Sequence, residues 1–332
     1  MKRNLSIADL GVAFPGGMPS EELLATVKKA EADGFSTCWI SEDYYYGGAM
    51  ATAGAIAAVT NQIGIGVGVV NPFTRNPEVI AMEAAVVDAV SKGRFRLAVG
   101  ASNRRWIEAQ MGIPFQKPRV RMAESVRIIS GLLRGETLDF DGETVSAHQV
   151  RLNFQTYRHD MPVYMGVSGE KSLCQAGAVA DGVLLSIMSS APYAAWARQV
   201  VDESAKAAGR EKHIPIAVYA PLFLGTVEEA RKAFAPTIAH YVGVAAKRAF
   251  IQQSGASEEE VRPLAERFAV GRGGEDLVTQ ELAERFTICG SAARCRERLE
   301  EYWDAGVDQV ILCACDGISA QQMMEFAKEI FR

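Results

Sequence analysis

The chain has 332 residues, 48% of them hydrophobic and 23% charged, which is ordinary globular composition with enough apolar material for a large core. Its net charge of −5, with no basic block, leaves no electrostatic footprint for nucleic acid. No uninterrupted apolar run approaches the ~18 residues that span a bilayer, and the start shows no secretory h-region, so a cytoplasmic protein is expected.

Short apolar runs alternate with helical-period segments from the first residues onward. Strands are expected at 5–14, 36–41, 63–70, 95–100, 162–167, 182–186, 214–224 and 309–313. They read as continuously apolar, as strands buried on both faces do. Between them lie amphipathic helices, with Leu23, Val27 and Ala30 on one face and Met323, Phe326, Ala327 and Ile330 on another. Thr226 with Glu229 and Ser319 with Gln322 stand at capping-box spacing. Eight strands, each followed by a helix, predict a single (β/α)₈ barrel over 1–332, with a doubly wound sheet as the alternative. Two segments interrupt the alternation. Residues 137–160 carry a hairpin signal around Asp141-Gly142, and residues 237–282 are helical beyond the barrel rhythm. Such insertions often form lids or cofactor clamps above a barrel mouth, and equally often packing or dimer elements.

Cys38, Cys174, Cys289, Cys295, Cys313 and Cys315 form no Cys-x-x-Cys pair and read as buried thiols. His148, His159, His213 and His240 lack any metal-ligand spacing, so no metal site is expected.

In a barrel, function sits just after the strands. The ends here are polar and glycine-rich: Ser41-Glu42-Asp43-Tyr44, Gly68-Val69-Val70-Asn71-Pro72, Gly100-Ala101-Ser102-Asn103, Gly166-Val167-Ser168-Gly169, Ser186 and Tyr219-Ala220-Pro221. They contain no nucleophile–base pair and no Walker-type loop, which suits a cofactor that carries the chemistry. Val167, Ser168 and Gly169 close a strand and open a helix, where successive amide groups attract phosphate. Glu42 and Asp43 are adjacent carboxylates suited to proton transfer, beside an aromatic wall of Tyr44, Tyr45 and Tyr46. Gly64, Gly66 and Gly68 alternate along one strand face, which means close approach by a ligand or tight interior packing.

Taken in order, Gly34-Phe35, Trp39-Ile40-Ser41-Glu42-Asp43, Ile63 to Pro72 with Arg75 and Pro77, Gly93 to Gly100, Pro162 to Gly169, Ala180-Asp181-Gly182 and Ala305 to Asp308 resemble the bacterial luciferase-like superfamily. Within it the chain is most similar to the methylene-tetrahydromethanopterin reductase branch. The resemblance implies hydride transfer between reduced coenzyme F420 and a small organic substrate. The alternatives are an FMN-dependent monooxygenase fed by a separate reductase and a barrel that binds cofactor without turnover. It also implies a homodimer, a cofactor ring over the third strand against a non-prolyl cis peptide at Gly68–Val69, and a phosphate anchor at Val167, Ser168 and Gly169. Asn71 and Ser186 join Gly68 and Val69 as expected cofactor contacts, with Glu42, Asp43 and Asn103 as expected catalytic residues and Arg104 orienting substrate or cofactor tail. The sequence departs from many relatives in carrying Asp43 where they have histidine, and Asn103 where some have glutamate.

Overall fold

The computed structural model describes residues 5–314 and 316–332, so Met1 to Asn4 and Cys315 lie outside it. Eight parallel strands close on themselves: β1 (Leu10–Phe14), β2 (Thr37–Ile40), β3 (Gly64–Val70), β4 (Phe95–Gly100), β7 (Val163–Gly166), β8 (Gly182–Leu185), β9 (Ile216–Leu224) and β11 (Gln309–Cys313). The ring runs β1-β2-β3-β4-β7-β8-β9-β11, and β11 pairs back onto β1 with Gly11 opposite Ile311. The (β/α)₈ barrel expected from the sequence is therefore the observed fold. Between β4 and β7 stands an antiparallel hairpin of β5 (Leu138–Asp141) and β6 (Ser146–Val150).

The outer layer holds α1 (Ser20–Ala32), α2 (Ala49–Val59), α3 (Pro77–Val90), α4 (Pro118–Leu133), α5 (Glu170–Val179), α6 (Ala191–Ala207), α11 (Ala292–Asp304) and α12 (Ala320–Ile330). Proline at the first turn of α3, α4 and α6 starts those helices where no amide donor is needed. After β9 come α7 (Val227–Ala245), α8 (Ala249–Gln252), α9 (Glu258–Ala269) and α10 (Gln280–Phe286). Reciprocal capping boxes at Thr226–Glu229 and Ser257–Glu260 open α7 and α9.

Two sequence expectations need correction. Residues 5–9 are not strand, because Asp9 accepts from the Ser6 amide and hydroxyl (both 3.0 Å) and folds the segment into a 3₁₀ turn. The reading also missed β10 (Ile288–Gly290), which extends the sheet beside the far end of β9. Its three residues are too short to carry a period.

The barrel interior is filled rather than hollow, with Trp39, Ala98, Tyr164, Leu184, Ala217 and Ile311 packed together. Trp39 lies 6.2 Å from Tyr164 and 6.4 Å from Tyr219, centroid to centroid. The glycines of β3 are explained by this packing. A Cβ on Gly66 would come within 2.2 Å of the Trp39 indole, and one on Gly68 within 2.5 Å of Leu184. At the opposite, N-terminal rim, Asp181 accepts from the Val163 amide (3.1 Å) and Asp308 from the Ile216 amide (2.8 Å). Those two motif aspartates tie neighbouring strand starts together, which is a stability role.

Candidate active site

Two cavities open where the strands end in the C-terminal direction. The first, about 480 Å³, is lined by residues after β2, including Glu42, Asp43 and the three tyrosines, together with Thr74, Arg75, Met111 and Ile113. The second, about 310 Å³, lies over the ends of β4 and β7 with Val69 in its wall. A larger space of about 550 Å³ is lined only by residues between 246 and 265, among the helices after β9 and away from the strand ends. None of residues 237–282 lines either mouth cavity.

In the first cavity the side chain of Glu42 is only 6% exposed and is paired with Arg75. Arg75 also stands 3.4 Å from Glu83 on α3. Burial opposes the Arg75 charge, but the bond it donates to Glu42 and the field of both carboxylates outweigh it and hold the guanidinium above its ordinary value. One carboxylate oxygen of Glu42, Oε2, is buried without a hydrogen-bond partner. Such an atom costs free energy unless something binds it, so it marks a place for a donor. The Tyr44 hydroxyl lies 3.3 Å from Thr74 Oγ1, and burial raises its pKa above the usual tyrosine value. The Tyr44 ring packs edge-on against Trp106 at 5.7 Å. Tyr45 and Tyr46 are exposed beside it.

The second cavity is shaped by missing side chains. β3 and β4 pair Gly68 with Ala98 and then Val70 with Val99, which leaves Val69 bulged out of the ladder. The Gly68–Val69 peptide is cis, at the link the family resemblance implies, and Tyr44–Tyr45 is cis as well. Val69 lies over the ends of β4 and β7 only because both are glycine. A Cβ on Gly100 would sit 2.2 Å from Val69 Cγ2, and one on Gly166 would sit 2.4 Å from Val69 Cγ1. Beyond β7, Gly169 caps α5, and nothing lies within 4 Å of where its Cβ would be. Gly169 and Ser172, at that helix start, line the cavity, and a helix start is where an anion can be bound. Tyr193, fully buried on α6, holds the loop in place by donating to the Ser168 carbonyl at 2.8 Å.

The structure brings Glu42 and Asp43 together in one cavity, and Val69, Val167, Ser168 and Gly169 in the other. The remaining candidates lie outside both linings. Gly68 stands behind Val69, against Leu184 and Tyr219. Asn71 is buried, with Nδ2 donating to Ala101 O (2.9 Å) and Oδ1 accepting from Phe73 N (2.6 Å), so it locks the β3 and β4 loops together. Asn103 is exposed, and its Oδ1 accepts from Trp106 N at 3.0 Å, at the start of the π-helical turn Arg105–Gln110. Arg104 pairs with Glu108 and donates to Phe115 O at 3.0 Å. Ser186 is exposed after β8, and its carbonyl accepts from Ser189 Oγ at 2.7 Å.

Two lining residues, Gln175 and Arg119, escaped the sequence reading, and a third, Ser102, entered it only as part of a strand end. Ser102, in the left-handed conformation (φ 61°), has a buried Oγ with no partner, and Gln175 on α5 has a buried Oε1 in the same condition. Arg119, at the first turn of α4, lines the cavity and makes no ion pair among the described residues. Together they offer a hydroxyl, an amide and a cation around unfilled space. The floor is propped from outside by Arg121, which donates to Pro72 O (2.9 Å) and Thr144 O (3.0 Å) and stacks over Phe73. Phe73 in turn packs 4.8 Å from Phe115. The hairpin is held by Glu124, which accepts from the amides of Glu143, Thr144 and Val145. Among the described residues no helix is long and apolar enough to cross a membrane, and no group of three His, Cys, Asp or Glu is placed to hold a metal ion.

Comparison with known proteins places this geometry among relatives. The sequence profile described as luciferase-like monooxygenase matches residues 8–309. A 5,10-methylenetetrahydromethanopterin reductase of Methanolobus tindarius is 29% identical over 304 residues, covering 91% of this chain and 92% of its own. The same enzyme of Archaeoglobus fulgidus is 29% identical over 308 residues, with 91% and 92% covered. The solved structure of the coenzyme F420 dependent tetrahydromethanopterin reductase from Methanopyrus kandleri superposes with a TM-score of 0.82 at 26% identity, over 97% of this chain and 96% of that one.

Proposed function

The chain belongs to the luciferase-like monooxygenase family and is an oxidoreductase of that superfamily, and on that premise we propose that it transfers a hydride between reduced coenzyme F420 and a small organic substrate. The observation that carries the reading is the second cavity. Its wall is the bulged Val69 over two side-chain-free strand ends, and its lining holds buried polar atoms that the protein itself leaves unpartnered. An apolar shelf beside unsatisfied polar groups and helix-start amides fits a planar ring with a phosphorylated polyol tail. Ser102, Gln175 and Arg119 would hold that tail with Val167, Ser168 and Gly169, and Val69 would support the ring.

When bound, the deazaflavin supplies the hydride donor or acceptor at its C5 carbon. The protein's own part is positioning and proton handling. Arg75 fixes the Glu42 carboxylate through Oε1, which leaves Oε2 to take or give the proton that accompanies reduction or oxidation of the substrate. Asp43 lines the same cavity and adds negative charge at its rim. Substrate enters from the tyrosine side, where Tyr44 stands on Trp106 and Thr74. A separate enzyme that regenerates the coenzyme completes the cycle.

The test is turnover under argon with F420 and a panel of small carbonyl and imine substrates, against oxygen uptake with reduced FMN. Deazaflavin redox change without oxygen supports the reading. Oxygen consumption with reduced FMN alone moves the assignment to a two-component flavin monooxygenase.

A further inference from the structure

One guanidinium in the first cavity serves two carboxylates from different elements. Arg75 Nη1 donates to Glu42 Oε1, in the loop after β2, and Arg75 Nε lies 3.4 Å from Glu83 Oε2, in the second turn of α3. The Arg75 amide donates to Asn71 O at 3.2 Å, so the root of the side chain is fixed just past β3. Among the described residues neither Glu42 nor Glu83 has another ion pair. Each carries one buried oxygen, Oε2, that accepts no hydrogen bond. In Glu83 that oxygen is the one beside Arg75, so the two are paired by charge and not by an aligned N–H. Stability alone does not ask for this arrangement. A single carboxylate would satisfy the arginine, and a second one with a buried, unbonded oxygen costs free energy.

We propose that Glu83 is a positioning residue, which keeps Arg75 on one oxygen of Glu42 and so leaves the other free for proton transfer. The reason lies in the shape of the donor. A guanidinium presents its N–H groups as a planar fork, and opposite a lone carboxylate it closes on both oxygens at once. That closure would take up Glu42 Oε2, the atom that passes a proton to or from the substrate. Glu83 prevents it by electrostatics. Its charge draws the Nε edge toward α3, and Nη1 alone remains turned to Glu42. The field of both carboxylates keeps Arg75 charged against its burial, so the division holds at neutral pH. This role rests on the proposed function of Glu42 as the proton-handling group.

Two measurements on Glu83→Gln test this. In crystal structures of the ligand-free proteins, Arg75 should hold both oxygens of Glu42 in the variant and one in wild type. In turnover with F420 under argon, kcat should fall about tenfold, with F420 affinity and melting temperature unchanged. Adding Arg75→Lys should then recover most of the loss, because an ammonium is a point donor that cannot fork across a carboxylate. A residue that served only packing would give the opposite, a second loss on top of the first. Glu83→Ala should behave as Glu83→Gln does and serves if that variant does not fold. A Glu42 carboxylate still held through one oxygen in the variant, an unchanged kcat, or a double variant slower than Glu83→Gln alone would overturn the proposal. The crystal comparison needs no cofactor, so it decides the role of Glu83 by itself, and a wild type that shows no F420 turnover would count against the F420 assignment alone.

Discussion

The Tyr219 hydroxyl donates to the carbonyl oxygen of Gly68 at 3.2 Å, from β9 across the barrel interior to the strand end that presents Val69. Burial pushes the Tyr219 pKa far above the ordinary tyrosine range, so the phenol stays a neutral donor at physiological pH. A Cβ on Gly68 would meet that same oxygen at 2.8 Å. The floor of the cavity beside Val69 is thus fixed from inside the barrel. Tyr219→Phe should cost about 1 kcal/mol of stability in urea titration. It should also weaken cofactor binding by up to about tenfold.

Val69 and the two glycines beneath it should behave as one unit. Gly100→Ala should destabilise the fold by roughly 1–3 kcal/mol, because the new methyl must displace Val69. Adding Val69→Ala should recover most of that loss while leaving cofactor affinity low. Denaturation and binding titrations of the two single variants and the double variant give the coupling directly.

Ser102 and Gln175 should separate binding from stability. Their buried atoms lack partners, so Ser102→Ala and Gln175→Leu should leave the melting temperature of the ligand-free protein unchanged or slightly raised. Both should weaken cofactor binding by about tenfold each. A loss of stability equal to the loss of affinity would argue that these residues only pack.

Much of this architecture is legible in the sequence, for a physical reason. Strands buried on both faces, such as Phe95–Gly100, have no solvent side and read as continuous apolar runs. The short β10 and the turn at Ser6–Asp9 are governed by tertiary pairing and a local cap, which leave no period to read. The site divides the same way. Glu42 and Val167 to Gly169 stand at strand ends and could be found by position. Arg75, the partner of Glu42, lies 33 residues away. Ser102 and Gln175 matter because their polar atoms are buried and unpaired, which is a property of the folded state alone. Asn71 and Asn103 carry the chemistry of site residues, yet their amides are used inside loops.

Stability should fall in acid through two carboxylates that hold backbone amides, the buried Glu124 and the partly buried Glu31. Burial opposes ionisation of Glu124 and of Glu31. The Thr144 hydroxyl and three amides outweigh it for Glu124, as do the amides of Gln62, Ile63 and Asn61 for Glu31. Both therefore titrate below their unfolded value of about 4.3. The stability they contribute is fully present above that pH and is lost as pH falls through the lowered folded values. The melting temperature should be level from about pH 6 to 8 and drop below about pH 4.5. Glu124→Gln should lower it at neutral pH and flatten the acid limb.

A fluorescence titration of F420 with the purified protein, repeated with Ser102→Ala, tests whether a deazaflavin occupies the cavity beside Val69. Saturable quenching at micromolar protein, weakened about tenfold by the substitution and absent or much weaker with FMN, is the predicted result. No F420 binding at tens of micromolar, or binding that Ser102→Ala leaves unchanged, would contradict it.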